Sequence, residues 1–137
     1  MGVIVVGYDH SDGSKLALRT AQELATQFSD RLVIAYGYGA SPRTGEELRA
    51  HNEALEELGR EATDEGLANA REAGVDAEVA LVADRPAAAL LSLAERHDAR
   101  FIVVGSYGES PLRSAILGST PHKLLHLSER PVVVVPA

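Results

Sequence analysis

Three short runs of β-branched residues limit the folds open to this chain more than any other feature. They read VIVVG at 3 to 7, FIVVG at 101 to 105 and VVVV at 132 to 135. Branching at Cβ favours extended backbone, and none of the runs alternates apolar with polar residues. Strands of this kind are buried on both faces, as in a parallel sheet covered by helices. We therefore expect the three runs to be parallel strands.

Two weaker strand candidates lie at 31 to 39 and at 76 to 82, and each gap between strands has a helix-start signal. Ser11 can cap a first helix. The sequence TGEE, from Thr44 to Glu47, is a capping-box pattern that opens a long helix ending near Gly74. Pro86 and Pro121 suit the first turns of two further helices. The apolar positions expected to face the sheet are Leu16, Ala17, Leu24, Ala25, Phe28, Leu48, Leu55, Leu58, Ala62, Ala70, Ala89, Leu90, Leu93 and Ala94.

The order of elements is therefore βαβαβαβαβ, which predicts the fold class. Parallel strands need right-handed helical crossovers, so we expect an α/β, Rossmann-like, open five-stranded parallel sheet with helices on both faces. At 137 residues the chain fits one domain, spanning residues 1–137. In such sheets ligands bind beyond the carboxyl ends of the strands, where the strand order reverses.

Composition narrows the classes of partner. A net charge of −7 argues against a general nucleic-acid surface, which needs clustered Lys and Arg. With 0 cysteines there are no disulfides, thiolate metal ligands or cysteine nucleophiles. The N-terminus has no basic leader, and no apolar run is long enough to cross a membrane, so we expect a cytoplasmic protein without membrane association.

A glycine pattern follows the run at 101 to 105. Gly105, Gly108 and Gly118 are spaced G-x2-G-x9-G and are followed by Ser119 and Thr120. The first two glycines permit positive φ and close approach of a ligand to the backbone. The last lies where a helix exposes unpaired amides, which attract anions. The hydroxyls of Ser119 and Thr120 either donate to phosphate or cap that helix.

Four other polar residues have alternative interpretations. Arg113, in the spacer, either contacts phosphate or is a solvated surface arginine, and the second is favoured. Asp9 either binds ribose hydroxyls or forms an Asx turn. His122 and His126 share a helix face, but ordinary surface or packed histidines are favoured because no zinc-protease glutamate or third ligand accompanies them. A P-loop, a dinucleotide fingerprint and a G-x-S-x-G elbow are absent from the sequence.

Three segments, IVVGYDHSDGS, DRPAAALLSLAERHDARFIVVGSYG and LGST…RPVVVVP, resemble the universal stress protein family along nearly the whole chain. The G-x2-G-x9-G-[ST] signature is typical of its ATP-binding branch. The resemblance implies that Asp9, flanked by Gly7, contacts ribose and adenine, that the backbone near Tyr36 and Gly37 meets the base, and that the glycine segment holds ribose and phosphates. With Arg113 added, the predicted nucleotide site comprises Gly7, Asp9, Gly37, Val104, Gly105, Tyr107, Gly108, Arg113, Gly118, Ser119 and Thr120.

The chain departs from the family pattern at two places. The second strand ends in AYGYG where the family more often has His-Val, and Thr120-Pro121 replaces an apolar residue and serine. Pro121 removes one amide donor from the phosphate end of the site. The signature itself is intact.

The resemblance also implies cofactors, partners and assembly. The nucleotide is ATP, with AMP and cyclic AMP as alternatives. Asp9 or Asp12 either holds Mg2+ beside the phosphates or only caps a turn. The family dimerises by pairing its last strand, so we expect a homodimer through 132 to 135, together with an unidentified protein partner. A nucleotide-dependent regulator or sensor in the stress response, with no catalytic residue identified, is the main prediction. The alternatives are a slow ATPase or adenylating hydrolase and an interaction module that needs no nucleotide.

Overall fold

The structure, a computed structural model, describes residues 1–39, 43–106 and 117–137. Within these residues, strands and helices alternate as the sequence predicts. The strands are β1 (Val3–Gly7), β2 (Arg31–Gly37), β3 (Ala77–Val82), β4 (Phe101–Gly105) and β5 (Val132–Val135). The helices are α1 (Asp12–Phe28), α2 (Gly45–Glu72), α3 (Pro86–His97) and α4 (Ser119–Leu127). Across the described ranges, no helix has both the length and the apolar character needed to cross a membrane.

All five strands are parallel and form one sheet in the order β3-β2-β1-β4-β5. On the central strand, Val5 pairs with Val33 of β2 on one side and with Ile102 of β4 on the other. The chain first builds outward from β1 to β3 and then returns past β1 to β4 and β5. The strand order therefore reverses between β1 and β4, and the predicted fold class is confirmed.

The sheet separates two apolar layers, which explains why its strands are apolar at consecutive positions. Ile4 and Val6 of β1 pack with residues of α1 and α2 on one face. Val3 and Val5 pack with residues of α3 and α4 on the opposite face. Because successive side chains of a strand point to opposite faces, burial of both faces requires an unbroken apolar run.

The buried stripe of α2 differs from the predicted one. Leu58 is 58% exposed, so its assignment to the core is wrong. The residues of α2 that face the sheet are small: Gly59, Thr63, Gly66 and Ala70 are buried. The hydroxyl of Thr63 donates to the carbonyl oxygen of Gly59 at 2.7 Å, so this polar side chain is satisfied inside the helix.

Phe28 was also predicted to face the core, and it is 42% exposed. As the last residue of α1 it lies beside the amino end of the sheet. Its ring packs edge-on against Phe101, with centroids 5.6 Å apart, and the Arg100 guanidinium lies 4.4 Å from the Phe28 centroid. The ring therefore packs against Arg100, whose guanidinium also pairs with Asp30.

The helix starts agree with the sequence except in one hydrogen bond. Ser11 is the N-cap of α1, and its hydroxyl accepts from the Ser14 amide at 3.2 Å. Thr44 is the N-cap of α2, but its side chain makes no capping bond. The Glu47 carboxylate instead pairs with Arg43 at 3.4 Å, so the predicted capping box is wrong.

At the amino end of the sheet, Asp30 ties three segments together. Its side chain is fully buried and accepts from the Gly2 amide at 2.9 Å and from Nε of Arg100 at 2.6 Å. The hydrogen bond from Arg100 is the largest cause that lowers the pKa of the Asp30 carboxyl. A Cβ at Gly2 would lie 2.6 Å from Oδ1 of Asp30, so this junction needs glycine for close approach.

Candidate functional site

A cavity of about 110 Å³ opens at the carboxyl ends of β1, β2 and β4, where the strand order reverses. Its floor is apolar, and one wall has carboxylate and hydroxyl groups. It adjoins a second groove of about 390 Å³ beside α2, and the two share Asp9 and Tyr36. The cavity is lined by Gly7, Tyr8, Asp9, Ser11, Ser14, Ala35, Tyr36, Gly37, Pro86, Leu90, Val104, Gly105, Thr120 and Pro121.

Asp9 lies just past β1 and is exposed toward this cavity. Its Oδ1 accepts from the Ser11 amide at 3.0 Å and also from the Ser11 hydroxyl, which makes the Asx turn that the sequence left open. In the described part of the chain, no hydrogen bond reaches its Oδ2. One carboxylate oxygen therefore holds the turn, and the other is available to a ligand.

The glycines that line the cavity are explained by close packing rather than by backbone strain. Gly105 has no positive φ, so that part of its predicted role is wrong. A Cβ on Gly105 would lie 2.8 Å from the Gly13 carbonyl oxygen, and a Cβ on Gly37 would lie 2.9 Å from the Asp84 carbonyl oxygen. Glycine at these positions lets β4 and β2 end close to the neighbouring loop and helix backbones.

The N-terminus of α4 lies on the other side of the cavity. Gly118 is the N-cap, and its amide donates to the Ser106 carbonyl at 2.7 Å. Ser119 and Thr120 are the first two helical residues, whose amides have no partner inside a helix. Capping by their hydroxyls is not what the structure shows, because Gly118 occupies the cap. Pro121 follows in the first turn and contributes no amide.

Two tyrosines form the wall between the cavity and α2. A Cβ on Gly59 would lie 2.5 Å from the Tyr36 ring, and a Cβ on Gly66 would lie 3.4 Å from the Tyr8 ring. Burial, followed by the charge of nearby carboxylates, raises the pKa of both phenols. Each hydroxyl therefore stays protonated and can donate a hydrogen bond at neutral pH.

The structure brings together six of the predicted site residues around one cavity: Gly7, Asp9, Gly37, Val104, Gly105 and Thr120. Gly118 and Ser119 precede Thr120 at the start of α4 but do not line the cavity. Tyr107, Gly108 and Arg113 lie outside the described residues.

Sequence reasoning missed Ser11, Ser14, Pro86 and Leu90 as cavity residues. Ser11 and Pro86 had been interpreted only as helix-start signals, and Leu90 only as a core residue. Each does have that structural role, and each also faces the cavity. Ser11 and Pro86 could have been found from their position at the start of a helix that follows a strand. The sequence has no comparable signal for Ser14 and Leu90.

Comparison with known proteins agrees with this architecture. The model of the universal stress protein family matches residues 1–136. The chain is 33% identical to universal stress protein YxiE of Bacillus subtilis over 143 residues, covering 96% of this chain and 97% of YxiE.

Solved structures are similar along the same length. A crystal structure of a universal stress protein in complex with cAMP is 32% identical and superposes with a TM-score of 0.71, covering 98% of this chain and 96% of that one. The universal stress protein UspA of Lactobacillus plantarum is 20% identical and shares the fold with a TM-score of 0.83, over 98% and 97% of the two chains. The chain therefore belongs to the universal stress protein family.

Proposed function

We propose that this protein binds an adenine nucleotide and acts as a nucleotide-dependent regulator or sensor in a stress response. ATP is the proposed ligand, with AMP and cyclic AMP as alternatives. One observation carries the proposal: an exposed carboxylate, Asp9, and the first turn of α4 flank one apolar cavity at the reversal of the strand order. The 32% identical neighbour crystallised with cAMP supports the ligand class.

The chemistry of the lining suggests how the nucleotide is oriented. Oδ2 of Asp9 accepts from ribose hydroxyls, because a carboxylate is an acceptor only. The base lies on the apolar surface of Pro86 and Leu90, next to the backbone of Gly37. The phosphates extend toward Ser119 and Thr120, whose amides and helix dipole favour negative charge. Gly108 and Arg113 remain proposed phosphate contacts.

Mg2+ fits this arrangement as a companion of ATP. It is usually held by one or two carboxylates together with substrate phosphates. Asp9 has an unused oxygen, and Asp12 is exposed in the first turn of α1. Neither residue is proposed to hold the ion without nucleotide.

Three further functions compete with this proposal. An adenylating hydrolase would cleave between the α- and β-phosphates and needs a substrate site, and a slow ATPase needs a group that activates water. Among the residues that the structure describes, Asp9 is the only carboxylate that lines the cavity, and its Oδ1 already accepts from Ser11. A third competitor, an interaction module, makes no use of the cavity.

We also propose that β5 pairs with the same strand of a second copy. Val132–Val135 is an edge strand that is bonded to β4 on one side and is only partly buried. An apolar edge invites strand pairing, and antiparallel pairing with its counterpart gives a two-fold homodimer. A cytoplasmic location and an unidentified protein partner complete the proposal.

The test is to denature the purified protein and identify any released nucleotide, and then to measure nucleotide binding by calorimetry. We expect Gly118→Val to abolish binding and Gly118→Ala to weaken it less. The φ of Gly118 is −63°, which any residue adopts, so neither variant strains the backbone, and circular dichroism checks that both are folded. Gly108→Val is the parallel test in the glycine segment, whereas a Gly105 variant would disturb packing against Gly13.

The outcomes separate the candidates. A released nucleotide without turnover supports the sensor. AMP and pyrophosphate as products support the adenylating hydrolase, and ADP with phosphate supports a slow ATPase. Absence of any adenine nucleotide, together with no heat of binding for ATP, AMP or cyclic AMP, overturns the proposed function.

A further inference from the structure

The outward face of α4 has two histidines that the nucleotide site does not use. Pro121 and Leu124 are buried on the inner face of this helix, whereas His122 and His126 are exposed. Their ring centroids are 4.7 Å apart, with an angle of 70° between the ring planes. In the described part of the chain, neither imidazole forms a hydrogen bond or an ion pair. As far as the described residues are concerned, the ring nitrogens of both histidines are therefore available to an external ligand.

The centroid distance between the two rings lies within the range that a shared metal ion requires. A ring nitrogen lies about 1.1 Å from its centroid and a metal–nitrogen bond is about 2.1 Å, so each centroid would lie about 3.2 Å from the ion. For bonds about 90° to 110° apart, the two centroids are then about 4.5 to 5.2 Å apart. The observed 4.7 Å falls inside this range.

The short distance between the two histidines follows from helix geometry. Residues four apart are neighbours on a helix surface, and two histidines at that spacing form the metal-binding pair of helical zinc sites. Imidazole suits Cu2+, Ni2+ and Zn2+. The net charge of −7 also favours accumulation of cations near the protein.

We propose that His122 and His126 form a two-histidine chelate for a divalent transition-metal ion on the surface of α4. Within residues 1–39, 43–106 and 117–137, no third His, Asp or Glu completes a metal cluster, so water fills the remaining positions. The metal is held more weakly than in a site with three or four protein ligands. This site does not depend on the proposed nucleotide function.

The experiment titrates the untagged full chain with Ni2+ and with Zn2+ in a buffer that does not bind metal. We expect one ion per chain for the wild type, and an affinity at least about tenfold lower for His122→Ala and for His126→Ala, because each leaves a single ligand without its linked partner. His51→Ala, on α2, is expected to bind as the wild type does. Circular dichroism confirms that each variant is folded.

A variant with the same number of histidines tests whether their spacing determines metal binding. The double substitution Lys123→His with His126→Ala keeps the number of histidines but places two of them at adjacent positions, which do not face each other on a helix. Weak binding by this variant supports the chelate. Binding as tight as in the wild type, or equal affinity of the wild type and both single variants, overturns the proposal.

Discussion

Each end of the sheet has an aspartate just beyond a helix or a strand, and the two aspartates have different roles. At the amino end, Asp30 is fully buried, and both of its oxygens are occupied by Gly2 and Arg100. At the carboxyl end, Asp9 is exposed, and its hydrogen bonds to the described residues use only Oδ1, within its own turn. A carboxylate whose acceptors are used inside the protein stabilises the fold. A carboxylate with an unused acceptor beside a cavity is available for binding.

The largest effect is expected at the amino end. Asp30→Ala leaves the Gly2 amide without this acceptor and removes the ion pair with Arg100, so we expect a loss of about 2 kcal/mol in the free energy of unfolding. Arg100 is 42% exposed and regains water, which keeps the loss below that of a fully buried pair. Urea denaturation measures the loss. Nucleotide affinity should be unchanged, and a matching fall in affinity would break the distinction between the two ends.

At the carboxyl end the expected effect is on binding instead. Asp9→Ala should weaken nucleotide binding about tenfold or more, because hydrogen bonds to a charged group contribute about 1.5–3 kcal/mol. Its stability should fall by less than about 1 kcal/mol, since only a surface turn is lost. Calorimetry and urea denaturation measure the two quantities. The control is Asp64→Ala, an exposed carboxylate on α2.

The wall of the cavity offers a smaller, paired test. In Gly59→Ala the new methyl would lie 2.5 Å from the Tyr36 ring, so we expect a loss of about 1 kcal/mol in stability and weaker nucleotide binding. In Gly66→Ala the nearest atom is at 3.4 Å, and the gain in helix propensity of up to about 1 kcal/mol should dominate. Thermal unfolding distinguishes them. Equal melting temperatures would show that Tyr36 moves without cost.

The smallest effect is a dependence on pH. The lowered pKa of Asp30 means that its contribution to stability is complete above the ordinary aspartate pKa of about 3.9 and is lost as the pH falls through the lower folded-state value. Acid should therefore destabilise the wild type more steeply than Asp30→Asn below about pH 4. Urea midpoints across this range measure the difference. Parallel curves for the two proteins would show that Asp30 does not contribute to the loss of stability at low pH.

The sheet was predictable because burial on both faces requires the unbroken apolar runs at β1, β4 and β5. The buried faces of the helices were less predictable from the sequence. Leu58 satisfies helical periodicity but lies outside, because the buried stripe consists of residues such as Gly59 and Thr63 that periodicity does not mark as core. Gly59 and Gly66 lie against the rings of Tyr36 and Tyr8, which come from β2 and from the residue after β1, both distant in sequence from α2.

The site was predictable where it followed from strand ends. Asp9 and Gly105 come directly after or at the end of apolar runs, so the position of the cavity could be inferred without a structure. Ser14 and Leu90 could not be assigned, since their places in the cavity depend on how α1 and α3 cross the sheet. The basis of the Gly105 requirement was also hidden, because its close neighbour, Gly13, is distant in sequence.

The central position of β1 has a consequence for how the chain is made. Val5 pairs on one side with Val33 but on the other with Ile102, which is synthesised far later. During translation, β1 emerges before β4 and therefore has an open apolar edge until β4 follows. Exposed strand edges attract other chains, and pairings that are distant in sequence form slowly. The nascent protein is thus most vulnerable to aggregation between the completion of β2 and the arrival of β4.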